Sequence, residues 1–425
     1  MQLRPLGRIA TTLFLILLLF SYPPAADAYG VLSHEELIDI TWDSDIKPAL
    51  LHRFPTLSET DLQQAHSYAY GGSMIQDIGY YPFGSHEFTN YLHYVRTGDF
   101  VAGMLRDARD PNEFAFALGA LSHYAADCWG HAAVNAGVAV EYPELRARYG
   151  PQVTYEEDPA AHLKTEFSFD VLQVAKRRYL SKQYHDFVGF QISRPLLDRA
   201  FLDTYGIETR EFLKSGDLAV GTFRFAISHA IPEMTQVAVA SRKDTVQEEK
   251  DDRARSLFLY HLSRADYEKD FGASYHRPGV FAKILAFLLK LIPKFGPFKA
   301  LAYKDPTPQT EDLYFKSMDN VVSQYHRLLQ QVEHGDYNIP NRNLDVGDLT
   351  VAGHYRMADD SYDELVRRLA KEKFAHLTPA LKANILGYFA SGSPRDSLHR
   401  IKWHETRSAF TKLKAYPVSA VVPAS

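Results

Sequence analysis

The stretch Leu121–His131, LSHYAADCWGH, sets His123, Asp127 and His131 at four-residue intervals inside an otherwise apolar run. On a helix a four-residue step advances about 400°, so the three side chains leave from nearly one face. His162 and Glu166, in AHLKTE, repeat the interval. Imidazole nitrogen and carboxylate oxygen are the donors that borderline metals such as zinc accept, and two of them one turn apart can converge on one ion. Burying such groups on an apolar face without compensation is costly. Two sets on adjacent helices therefore point to a polynuclear metal site. Cys128 lies beside Asp127 but about 100° around the helix, as a small packing residue. It is the only cysteine, so no internal disulfide forms.

Helices must carry these residues, and helical periodicity recurs along the chain while alternating strand patterns are scarce. The pattern predicts helices over Ser33–Lys47, Asp61–Met74, Asn112–Val138, Ala160–Leu180, Gly216–Ala240, Asp312–His334 and Tyr362–Ala370. Asp110-Pro111-Asn112 marks a helix start, and the Gly and Pro of Asp77–Ser85, DIGYYPFGS, mark a loop. The fold class is all-α, a multi-helix domain with functional loops and a mainly helical C-terminal extension. Arg277–Leu301 mixes Phe281, Ile284, Leu285, Leu288, Leu289 and Ile292 with Lys283, Lys290 and Lys294. It reads either as an interfacial segment or, in preference, as a buried helix packing the extension; its prolines stop it short of a membrane span. Net charge is −5, which gives no basic footprint for nucleic acid.

The chain opens with Arg4 and Arg8, an apolar run Ile9–Phe20 and the A-x-A triplet Ala26-Asp27-Ala28. This is the pattern of an export signal cleaved to leave Tyr29 first, an uncleaved anchor being the alternative. The expected organisation is a signal peptide at 1–28, a helical domain at 29–276 and an apolar, basic and helical extension at 277–425. Export to the periplasm or the medium follows.

In order along the chain come Tyr29-Gly30, His34, Asp77, Ser85-His86 after GYYPFG, His123, Asp127, His131, and His162 with Glu166. This series resembles the zinc-dependent phospholipase C family and the secreted zinc nucleases that share its helical fold. The resemblance spans Tyr29–Asp170 and implies two or three zinc ions. One would take Asp77, His86, His123 and Asp127, and a second His131, His162 and Glu166. A third would take the freed amine and carbonyl of Tyr29 with His34, sharing Asp127. His93 competes with His86 for the loop position, but it sits in the amphipathic segment YLHYV, and His86 is preferred. His66 and His229 read as core histidines.

The implied reaction is phosphodiester hydrolysis, with zinc polarising the phosphoryl oxygens and activating water, and with Asp77 orienting or deprotonating that water. Tyr124, Glu156 and Asp158 are candidates to hold the imidazoles. The implied partner is a phospholipid or membrane surface. Glu166 stands where the related nucleases carry Asp, which makes nucleic acid the lesser reading; a non-catalytic zinc-stabilised lipid-binding protein is the other alternative. Three departures bear on substrate: Tyr29 replaces the family's usual Trp, the His123–His131 spacing is shorter than in the bacterial enzymes, and the C-terminal half has no aligned counterpart. No protein partner is implied.

Overall fold

The computed structural model describes residues 30–81, 83–175, 190–213, 219–221, 304, 306–392 and 400–418. Among these residues the secondary structure is helical, with one isolated antiparallel bridge between Arg342 and Leu349 and no strand. The chain is thus all-α, as expected. No described helix is long and apolar enough to cross a membrane. The expected signal segment, Tyr29, His229 and the apolar segment 277–301 lie outside the described residues.

Helix α1 is Val31–Thr41, followed by a π turn at Trp42–Ile46 and α2 at Lys47–Arg53. The single helix expected over Ser33–Lys47 is interrupted because Pro48 has no N–H for the carbonyl four residues back. Next come α3 (Glu59–Ser73), a 3-10 turn (Ile75–Tyr80), α4 (His86–Tyr94) and α5 (Thr97–Asp107). The central helix α6 is Pro111–Glu141, followed by α7 (Pro143–Tyr149), α8 (Pro159–Ala175) and α9 (Arg194–Tyr205). Helices α10 (Pro308–Glu333), α11 (Arg356–Lys371), α12 (Pro379–Ser391) and α13 (Arg400–Ala415) complete the described chain. Short α4 and α5 were not expected from periodicity. Their aromatic and small residues are weak helix formers, and tertiary burial fixes them.

Helix α6 starts where the Asp110 carboxylate accepts from the Glu113 N–H at 2.8 Å, with Pro111 in the first turn. The Glu113 carboxylate reaches back past the cap to the Arg109 N–H at 2.9 Å. Its side chains are buried around nearly the whole circumference, as expected of a helix that forms the axis of a domain. Helix α3 lies along one flank of it and α10 along another.

Where α3 crosses α6 the two backbones touch. A Cβ on Gly72 would sit 2.0 Å from the Phe116 carbonyl oxygen, and one on Gly119 would sit 2.1 Å from that of Ala69. The expected domain division at residue 277 falls outside the described residues. On either side of it the described residues share one hydrophobic core, in which Leu37, Phe88, Phe116 and Phe201 cluster with Tyr314, Tyr325, Leu365 and Tyr388.

The crossing gives a stability prediction. Gly119→Ala should lower the unfolding free energy by about 2 kcal/mol, because no flexible side chain can yield to the new methyl. Gly387→Ala, on α12 with open space around the added carbon, should instead raise it by roughly 0.5–1 kcal/mol. Urea unfolding of both variants checks the pair.

Candidate metal centre

Four parts of the fold deliver ligand-type side chains to one face of α6. Helix α1 brings His34, the 3-10 turn brings Asp77, the last turn of α4 brings His93, and α8 brings His162 and Glu166. Helix α6 itself supplies His123, Asp127 and His131. All eight are buried.

They form three groups, each with ligand atoms within 4.8 Å of one another: His34, His123 and Asp127; Asp77, His93 and His123; and His131, His162 and Glu166. Asp127 joins the first two. Its Oδ1 lies 3.6 Å from His34 Nε2, while Oδ2 lies 3.1 Å from His123 Nε2 and 3.4 Å from His93 Nε2. The His34 and His123 rings stack at 4.4 Å. Asp77 Oδ1 is 3.2 Å from His93 Nε2, and its Oδ2 is 3.8 Å from His123 Nδ1. In the third group His162 Nε2 and Glu166 Oε1 are 2.8 Å apart, and the His131 and His162 rings are 5.3 Å apart.

The structure brings His93 rather than His86 into the Asp77 group. The two histidines lie seven residues apart on α4, which is about 10 Å along the axis. His86 starts the helix, exposed with its ring 5.5 Å from that of Tyr80, and only the C-terminal end of α4 reaches Asp77. Partial desolvation by its neighbours lowers the His86 imidazole from its ordinary pKa. The amphipathic character of YLHYV, which argued against His93, is what carries that residue into the interior. A histidine within a run of buried aromatic and aliphatic residues was the available signal.

Backbone carbonyls hold the imidazoles. His93 Nδ1–H donates to the Thr89 carbonyl at 2.9 Å, His123 Nδ1–H to that of Ser73 at 2.8 Å and His131 Nδ1–H to that of Leu344 at 2.5 Å. Each bond leaves Nε2 turned to the centre, where it offers a lone pair once any proton on it is displaced. The side chains expected in this role act elsewhere. Tyr124 donates to the Pro340 carbonyl, Glu156 accepts from the Arg356 and Met357 N–H groups, and Asp158 accepts from the Ala161 N–H at the start of α8. Leu344 belongs to the C-terminal part of the chain, so residues far along the sequence orient a ligand on α6.

Burial, assisted by the neighbouring His123, holds His34 neutral, with its pKa lowered to about 3. Burial and then His131 hold His162 well below the ordinary value. For His93, burial acts downward, but hydrogen bonding and charge from Asp127 and Asp77 outweigh it and hold the imidazole well above the usual range. His123 is raised by the same two carboxylates against the same burial. Asp127 is held well below the carboxylate range by His123 and His93, again against burial.

The donor set fits zinc: nitrogen and carboxylate oxygen only, three or more per group, oriented from outside and screened from water. His131 Nε2 is buried and has no hydrogen-bond partner among the described residues, which is the state of a nitrogen kept for an ion. A cation between these carboxylates would take over the compensation that protons on His93 and His123 otherwise provide.

The model of the zinc-dependent phospholipase C family matches residues 26–211. No curated protein and no solved structure matches the chain. The matched stretch is similar to that family's domain, and it contains every residue of the three groups.

Two predictions follow from this geometry. His93→Ala should weaken zinc binding about ten- to hundred-fold, while His86→Ala should leave it within about twofold, read by titration against a competing chelator. Zinc binding near pH 7 should also release protons, because His93 is protonated until the ion displaces its proton. Calorimetry in buffers of differing ionisation enthalpy would give equal heats if it did not.

Proposed function

We propose that the chain hydrolyses the phosphodiester between a phospholipid's glycerol and its head group, as an exported phospholipase C. The observation that carries this reading is the convergence of three His/carboxylate groups through Asp127 on a stretch similar to the domain of the zinc-dependent phospholipase C family. His34 and Asp127, with the freed Tyr29 amine, would hold one zinc, Asp77, His93, His123 and Asp127 a second, and His131, His162 and Glu166 a third. Bound zinc supplies Lewis acidity toward the phosphoryl oxygens and lowers the pKa of water.

The chain's own residues have separate parts. Asp77 is the carboxylate assigned to take a proton from the attacking water, since it faces one group only, whereas Asp127 is committed between two. Asp127, with an oxygen toward each of two groups, fixes their separation. The carbonyls of Ser73, Thr89 and Leu344 keep the imidazoles from turning as charge develops. Export belongs to the same proposal: removal of residues 1–28 would free the Tyr29 amine beside the His34 segment, so that the uncut precursor lacks one ligand. N-terminal sequencing of the exported protein should read Tyr29-Gly30.

The test is turnover by zinc-loaded protein on phosphatidylcholine micelles and on single-stranded DNA. Release of phosphocholine that is lost with chelator and restored by zinc is expected. His123→Ala should lower kcat/KM by at least about 10³-fold, and Asp77→Asn should lower kcat by about 10²–10⁴-fold. Turnover of DNA alone would assign a nuclease. A fully metallated protein that turns over neither substrate would leave a zinc-stabilised binding protein.

A further inference from the structure

Helix α1 carries His34, yet nothing in its own sequence caps it. The N-cap is Gly30, no acidic residue stands in the first turn, and no local side chain bonds its exposed N–H groups. Those groups are satisfied instead from α8. Asp170 Oδ2 accepts from the Leu32 N–H at 3.1 Å, and Oδ1 accepts from the Ser33 N–H at 3.2 Å and the Ser33 hydroxyl at 3.0 Å. Ser33 Oγ also meets the Tyr314 hydroxyl of α10 at 2.9 Å. All of these residues are buried. The approach is so close that a Cβ on Gly30 would fall 2.2 Å from Asp170 Cγ. Gly30 thus gives up a local cap so that a distant carboxylate can seat the helix end.

That seat lies one residue from a candidate ligand. The His34 N–H closes the first turn on the Gly30 carbonyl at 3.3 Å, and its ring lies on His123 with Nε2 facing Asp127. On α8, Asp170 follows His162 and Glu166 at the same four-residue step, on the same side of the helix. One helix therefore supplies two ligand-type residues to one group and anchors the segment that supplies His34 to another.

We propose that Asp170 is the positioning residue of the His34 group, locking the first turn of α1 so that His34 is presented to Asp127 and His123. The inference rests on the reading that these groups hold zinc. Asp170 touches neither substrate nor metal in this account. It acts through Leu32 and Ser33.

The test is zinc stoichiometry and affinity of the chain beginning at Tyr29, with zinc alone as the probe. Asp170→Asn keeps the side chain's size but leaves one acceptor oxygen for three donors. It should weaken one metal equivalent by at least about tenfold and leave the others at wild-type affinity. The loss should be absent in a His34→Ala background, where that equivalent is already gone, and undiminished in a His162→Ala background. Ser33→Ala, which removes one of the three donors, should weaken the same equivalent less, and serves if the Asp170 variant does not fold. Wild-type affinity at every equivalent in Asp170→Asn would overturn the proposal, as would equal weakening of all of them. A wild-type chain that binds no zinc would overturn the hydrolase reading together with this one.

Discussion

The carboxylate of Asp127 is the constraint around which this structure is arranged. It is fully buried on the central helix α6, and a charge in that position must be compensated by partners brought to it. Three histidines from three elements do this: His34 at one oxygen, and His93 and His123 at the other. Because α6 is packed on nearly all sides, those partners cannot come from solvent-facing neighbours. They come from the ends of α1 and α4 and from α6 itself.

Holding such a centre needs an outer layer, and here most of it is backbone. Carbonyls of Ser73, Thr89 and Leu344 take the Nδ1 protons, and each comes from a different kind of place: the end of α3, one turn earlier on α4, and an irregular stretch of the C-terminal region. A carbonyl in a packed interior has little freedom to turn, so the imidazoles inherit the rigidity of the core. Leu344 is itself buried, and the Asp345 carboxylate beside it accepts from Tyr94 and Tyr355 at 2.8 and 2.5 Å. The C-terminal stretch is thereby tied to α4 as well as to α6. The described part of the chain beyond the family's match lies against the site it supports.

Much of this was legible before any fold was known. The four-residue spacing placed His123, Asp127 and His131 on one face of a helix, and His162 with Glu166 on another, and the structure has them so. The choice of histidine for Asp77 was not legible. His86 and His93 share a face of α4, and only the depth at which that helix enters the core separates them. The outer layer was equally hidden, since a backbone carbonyl has no signature in sequence. Tyr124, Glu156 and Asp158 were visible as polar side chains near the ligands, yet each is committed to a cap or a loop.

The sequence alone determined the helical class, the donor chemistry and the intervals within each helix, because the α-helical period converts residue number directly into direction. Tertiary structure decided which intervals meet. It chose His93, turned the two oxygens of Asp127 toward different groups, and set Asp170 against the start of α1, which only a glycine could allow. These are distances between elements far apart in the chain. They follow from how helices pack, and a one-dimensional pattern carries no measure of them.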